Sequence, residues 1–264
     1  MRREFYRTEQ VIPVRRRQLN IAVTGLGRGV GTTLVAASAA FYFAENGESV
    51  TFTECAVPSE AEGLLYDGAA MDQRFIGRRF CPVYEVLRSG GSLRGRGNYE
   101  MNINWRLITP QDRNIGREEA ERIVCRLADN AGDDICIFDV QPGLIVSDGG
   151  HAVFPLADMD VLLVVADPMP SRLAAGKDRL EWIRQAGAAE GRPDVWFAVS
   201  GKGAGVSRRQ VAGFLGGRNI LWIPELDRQE LYRDEFHCRF HWQNENVRQA
   251  MTGVFTKLSQ SITR

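Results

Sequence analysis

Three features of the sequence predict an α/β protein. The expected architecture has three layers: a mostly parallel sheet of about seven strands, with helices on both faces. Short, almost purely apolar runs recur along the chain, and segments with helical spacing separate them. The first run ends in a glycine-rich loop that opens into a helix of small residues. Apolar runs this short and this pure suit strands buried on both faces, the condition of a parallel sheet between two helical layers.

The elements follow in order. Residues 19–25 (LNIAVTG) form a strand that ends in glycine. A helix is expected over 32–46 (TTLVAASAAFYFAEN), and Gly47 stops it. Residues 49–54 (SVTFTE) are β-branched and read as a strand. The next strand, 103–110 (INWRLITP), is ended by proline. Residues 117–132 carry an amphipathic helix. Strands follow at 134–140, 160–168, 195–201 and 219–225, with helices at 171–186 and 207–215 and a last helix at about 244–262. The segment 57–102 crowds glycines with arginines and supports no assignment. In an open sheet of this kind ligands bind beyond the carboxyl ends of the strands. Residues 25–33, 54–58, 139–143, 167–170, 200–203 and 224–227 should therefore converge on one rim.

The chain has 264 residues, enough for one α/β domain over 19–264. Residues 1–18 read as a basic arm carrying Arg2, Arg3, Arg7, Arg15, Arg16 and Arg17. Net charge is zero, so no specific nucleic-acid partner is expected. No apolar run is long enough to span a bilayer, and the N-terminus lacks the apolar core of a signal peptide. The five cysteines are scattered, which suits reduced thiols. Together these predict a cytoplasmic protein whose membrane contact, at the inner face, is peripheral at most.

The glycine-rich loop carries the chemistry. Glycines at 25, 27, 29 and 31 let backbone N–H groups turn inward on an anion, and the following helix N-terminus adds its dipole. Thr32 and Thr33 lie in the first helical turn, where a hydroxyl can cap the helix or reach a metal. The strict pattern G-x-x-x-x-G-K-[ST] is not met, because Leu26 replaces its first glycine and Thr32 its lysine. A second element is "DDICIFDVQPG" (133–143). Asp139 stands where such a sheet places a Mg-water ligand, and Gly143 where it senses a γ-phosphate.

In order and spacing these motifs resemble the MinD/ParA family of deviant-Walker P-loop ATPases, over nearly all of 19–262. Gly27-Arg28-Gly29-Val30-Gly31-Thr32-Thr33-Leu34 lies opposite the family loop K-G-G-x-G-K-T-T without a gap. Asp139-Val140-Gln141-Pro142-Gly143 resembles D-x-P-P-G. The segments 195–216 and 222–232 are similar to the two adenine-side loops. The resemblance implies ATP or ADP with Mg as cofactors. It puts the phosphates on residues 27–33, Mg near Thr33 and Asp139, and the base beside Lys202, Pro224 and Asp227. It also implies a homodimer closed across the nucleotides. Arg28, the arginines at 78, 79, 94 and 96, and the loop after Gly143 are expected to border that face.

The departures from the family pattern concern catalysis. The P-loop lysine is Thr32, and the deviant lysine that reaches across the dimer is Gly27. The family's D-x-D after the second strand is Glu54-Cys55-Ala56, so its second aspartate is lost. A lysine on the β/γ-phosphates is a large electrostatic contribution to phosphoryl transfer. The expectation is therefore a nucleotide-binding scaffold or pseudo-ATPase, with at most weak turnover, that localises a larger assembly. "GVGTTLVA" (29–36) resembles the TadZ/CpaE-like branch, which serves Tad (Flp) pilus secretion machinery and would supply the protein partners. The alternative is an active positioning or partitioning ATPase in which Arg28 and Thr33 compensate. An iron-protein-like redox ATPase would need a cysteine in 140–156, and there is none. "FHCRFHW" (236–242) offers three candidate metal ligands and no fourth, so a partly buried loop is the simpler reading. The apolar side of the last helix reads as its sheet-facing side.

Overall fold

The computed structural model describes residues 18–61, 63–130, 132–145, 153–190, 193–202, 205–216 and 219–262. The expected basic arm lies outside the described residues. Eight strands are present among them: β1 (Leu19–Gly25), β2 (Val50–Cys55), β3 (Tyr99–Glu100), β4 (Ile103–Arg106), β5 (Ile135–Val140), β6 (Val161–Ala166), β7 (Asp194–Lys202) and β8 (Ile220–Pro224). They form one sheet in the order β3-β4-β2-β5-β1-β6-β7-β8. Seven strands are parallel, and β3 alone runs antiparallel, against β4. The seven apolar runs are the seven parallel strands. β3 has two residues, too few for any periodicity to show.

Among the described residues eleven α-helices accompany the sheet. They are α1 (Thr32–Glu45), α2 (Leu65–Gly68), α3 (Met71–Arg74), α4 (Val83–Arg88), α5 (Arg117–Asp129), α6 (Pro142–Ile145), α7 (Pro170–Ala175), α8 (Lys177–Glu190), α9 (Arg208–Leu215), α10 (Arg228–Phe236) and α11 (Glu245–Ile262). One core lies between the sheet and α1 with α11, the other between the sheet and α4, α5, α8 and α9. Alternation along β1 divides the two layers: Ile21 and Val23 enter the first core, Ala22 the second. On α11 the buried side is Val247, Met251, Val254, Phe255 and Leu258, so its apolar stripe packs inward as its spacing predicts.

The segment 236–242 puts aromatic rings into the first core. Phe240 stacks on Trp105 with centroids 4.8 Å apart, and Trp242 stacks on Phe41 at 6.2 Å. His241 lies between two carboxylates, 3.7 Å from Asp234 and 3.5 Å from Glu235. Among the described residues no group of three or more His, Cys, Asp or Glu is placed to hold a metal ion. Nor is any helix among them long and apolar enough to cross a membrane.

Three expectations need correction. The helix expected over 171–186 is two helices, α7 and α8, broken at Gly176. A Cβ on Gly176 would lie 2.4 Å from Leu26 Cγ, so the break is where the chain passes hard against the glycine-rich loop. The strand expected over 103–110 stops at Arg106. Beyond it Thr109 and Asp112 form a reciprocal capping box that turns the chain into a 3-10 helix at Pro110–Asn114. Arg78 does not border the nucleotide-side rim. Arg78 hydrogen-bonds to Tyr99 O at 3.2 Å and pairs with Glu100 at 3.1 Å, beside the turn that opens β4 at the opposite end of the sheet.

Candidate functional site

The glycine-rich loop follows β1 at the carboxyl rim. It folds back on itself so tightly that a Cβ on Gly25 would meet Gly27 O at 2.5 Å and Thr32 Oγ1 at 2.8 Å. Gly29 and Gly31 have φ of 66° and 88°, left-handed conformations that side chains disfavour. Leu26 is clamped at the base of the loop. Its N–H donates to Val165 O on β6 at 2.8 Å, and its carbonyl accepts from Arg179 Nη1 on α8 at 2.7 Å. Beyond Gly31 the amides of α1 point outward. Gly31 supplies no side-chain cap and the first turn holds no acidic residue. The positive end of the α1 dipole is left for an anion.

Two carboxylates stand against this cradle. Glu54 at the tip of β2 and Asp139 near the tip of β5 are opposite each other in the parallel register. Both are buried. Burial raises Asp139 from its ordinary 3.8 to about 6, opposed by a hydrogen bond from the Thr33 side chain. Burial also pushes Glu54 to about 8, with the Asp139 charge adding to the rise and the Ile108 N–H lowering it. That N–H donates to Glu54 Oε2 at 3.0 Å. Among the described residues no lysine lines the site. At neutral pH the cheapest state keeps Glu54 protonated beside an ionised Asp139.

The segment after β2 is held in place from two sides. Tyr84, fully buried on α4, donates to Glu54 O at 3.0 Å and accepts from the Ala56 N–H at 3.3 Å. Gln141 donates from its backbone to Cys55 O at 2.8 Å, and its Oε1 accepts from Val57 N at 2.8 Å. Gly143, on α6, lies under a bridge: a Cβ there would be 3.8 Å from both terminal nitrogens of Arg117, and Arg117 pairs with Glu60 at 2.7 Å.

Gly27, Arg28, Gly29, Gly31, Thr32, Thr33 and Asp139 all line one cavity of about 730 Å³, together with Glu54, Ala56 and Gln141. This cavity runs down the flank of α1 to Arg239 and His241. Val30 does not line it; its side chain packs against the first core. Lys202, Pro224 and Asp227 do not line it either. Lys202 ends β7, its side chain outside the described residues, and Pro224 ends β8. The Asp227 carboxylate caps α10 by accepting from Gln229 N at 2.8 Å. Glu54, Tyr84, Gln141 and Arg117 were not singled out as site residues from sequence. A carboxylate at a strand tip was a usable signal for Glu54. Tyr84 lies in the unassigned segment 57–102.

The backbone cradle and the Thr33–Asp139 pair fit a phosphate chain and the magnesium ion it carries. The residue that follows Gly31 in this cradle is Thr32, a hydroxyl and not a cation, and Arg28 is the cation that lines the cavity from the loop.

No family model matches the chain, and no curated protein matches it in sequence. Solved structures do match its fold. The MinC:MinD cell division protein complex of Aquifex aeolicus superposes with a TM-score of 0.67 at 16% identity, covering 92% of this chain and 96% of that one. The septum site-determining protein MinD of Pyrococcus horikoshii, complexed with Mg-ADP, gives 0.66 at 13% identity, covering 92% and 96%. A ParA family ATPase of Chlorobium tepidum gives 0.59 at 14% identity, covering 90% and 97%. At these identities the likeness is one of fold: a mostly parallel sheet between two helical layers, built as in these P-loop proteins.

Proposed function

We propose that the chain is a nucleotide-binding scaffold of the MinD/ParA kind that turns ATP over very slowly, pairs as a homodimer and localises a larger protein assembly. The observation that carries this reading is the pairing of an intact backbone cradle with a missing lysine. The loop amides and the α1 dipole hold the phosphates. Thr33 and Asp139 hold the waters or oxygens around the magnesium ion. Bound magnesium would neutralise phosphate charge, and a metal beside Asp139 would keep that carboxylate ionised. Thr32 supplies a hydroxyl where the family's lysine supplies a charge, and Ala56 supplies nothing to orient a water. The base is assigned to the segments 200–203 and 224–227, on the same carboxyl rim. The loop sequence "GVGTTLVA" favours the Tad (Flp) pilus secretion machinery as the assembly served.

Calorimetric titration with ATP and magnesium tests the binding step. Gly31→Val places a β-branched side chain at φ 88° in the cradle, and affinity should fall at least 100-fold, on the order of 3 kcal/mol. Unchanged affinity would put the ligand elsewhere.

Arg28 lines the phosphate end of the cavity, and this favours the second reading, an active positioning ATPase. Turnover separates the two, as argued in the Discussion. Assembly gives a further test. Gly27 cannot reach a partner's site, so closure of a dimer cannot rest on a cross-site lysine. Sedimentation should show a dimer with and without Mg-ATP. A monomer in both conditions removes the dimer, and a monomer that pairs only with Mg-ATP restores the ordinary switch.

A further inference from the structure

The edge of the sheet at β3 exposes apolar side chains that no packing accounts for. Ile76 is 79% exposed, Tyr99 57% and Met101 41%. Arg78 holds them together: it follows Ile76 by two residues and hydrogen-bonds to Tyr99 O, while its partner Glu100 precedes Met101. Met101 and Asn102 form the turn between β3 and β4, with φ of 53° and 61°. Hairpin turns that need two positive φ values are usually built from asparagine and glycine. A methionine is disfavoured there, and this one stands 41% exposed.

Arginines flank these tips: Arg79 follows Arg78, and Arg96 precedes Gly97, where a Cβ would lie 2.4 Å from the Tyr99 ring. Between Met71 and Met101 the chain has six arginines against three acidic residues. Arg79, Arg94 and Arg96 are exposed, and among the described residues their side chains make no hydrogen bond or ion pair. Leu19, Ile135, Val50 and Ile103 share one level of the sheet. Gln18 and Asn102 therefore lie at the same end, three strand spacings apart, about 14 Å. The phosphate cradle is at the other end of the sheet.

We propose that this edge docks the protein on an anionic membrane surface, with Ile76 and Met101 entering the interface, Tyr99 at headgroup level and the arginines on lipid phosphates. Nucleic acid would use the arginines and gain nothing from exposed aliphatic tips. An acidic protein would need a recess for those tips, whereas a bilayer interface receives convex ones. Docking lies on the end of the sheet away from the nucleotide, so it does not depend on nucleotide.

Vesicle flotation tests this with the full chain. The protein should float with vesicles of phosphatidylcholine and phosphatidylglycerol, not with phosphatidylcholine alone, and added salt should weaken the contact. The double variant Ile76→Ser with Met101→Asn should bind about tenfold more weakly, and asparagine suits the turn, so folding is not at risk. Arg79→Glu with Arg96→Glu should lose at least as much. Both variants keep residues 1–17 and bind Mg-ATP as the parent does. Failure of the parent to float overturns the proposal, as does either variant floating like the parent. Binding to duplex DNA with no flotation would assign the patch to nucleic acid instead. Flotation that requires Mg-ATP would move the contact to the nucleotide rim and also overturn it.

Discussion

Folding stability should fall as pH rises from about 5 to about 8, the reverse of what ionised, paired carboxylates give. The cause is Glu54. Its carboxyl titrates near 4.5 in an unfolded chain and at about 8 in the folded protein. Between those values the native state holds a proton that the unfolded state has released. The stabilising effect is complete below the unfolded value and is lost as pH climbs through the folded one. At about 1.4 kcal/mol per unit, the loss is on the order of 4 kcal/mol. Asp139 adds to it over a lower window, from 3.8 to about 6. Glu54→Gln removes the ionisable group while keeping an oxygen for the Ile108 N–H. The variant should hold its stability between pH about 6 and 8, where the parent declines. Denaturant midpoints at several pH values measure both. A parent midpoint that is flat, or rises, across this range would show that Glu54 is ionised in the folded protein.

That pair of carboxylates shows where the sequence could be read and where it could not. The parallel strands were legible because most are buried on both faces and so are written as short, mainly apolar or β-branched runs; β6, Val161–Ala166, has no polar residue at all. The loop was legible because glycine at 25, 29 and 31 answers a local demand, close approach at one position and positive φ at the other two. Glu54 could be seen at a strand tip, but its protonation comes from burial in the assembled fold, with a smaller push from Asp139, which is 85 residues away in sequence and adjacent only through the β2–β5 register. The break at Gly176 was hidden for a similar reason, since Leu26 enforces it from across the fold. The segment 57–102 failed to read because its helices are brief; α2 and α3 have four residues each and are held by tertiary contacts such as Arg74 over the Phe240 ring. Arginine 78 was placed on the wrong end of the molecule because nothing in 57–102 fixed the direction of the chain.

Purified protein should hydrolyse ATP about a thousandfold more slowly than a P-loop ATPase that keeps its lysine. Removing one well-placed donor from a site of this type costs about 10²–10³ in rate, or about 3–4 kcal/mol. On the proposed reading the lysine position is Thr32, and Ala56 stands where an aspartate would orient the nucleophile. The remaining cations are poorly placed to compensate. Arg117 is neutralised by Glu60 at 2.7 Å, and Arg179 is turned to the Leu26 carbonyl beneath the loop. Arg28 is the one arginine of the glycine-rich loop. The buried Asp139 adds negative charge beside the place where the transferred phosphoryl group must gather more of it. Thr32→Lys should therefore raise turnover by about 10², because it restores the charge at the right residue while Ala56 remains. A steady-state phosphate-release assay on the parent, Thr32→Lys and Asp139→Ala decides the matter. A parent rate in the ordinary ATPase range that Asp139→Ala abolishes would establish the active-enzyme reading and assign Arg28 the role of the missing lysine.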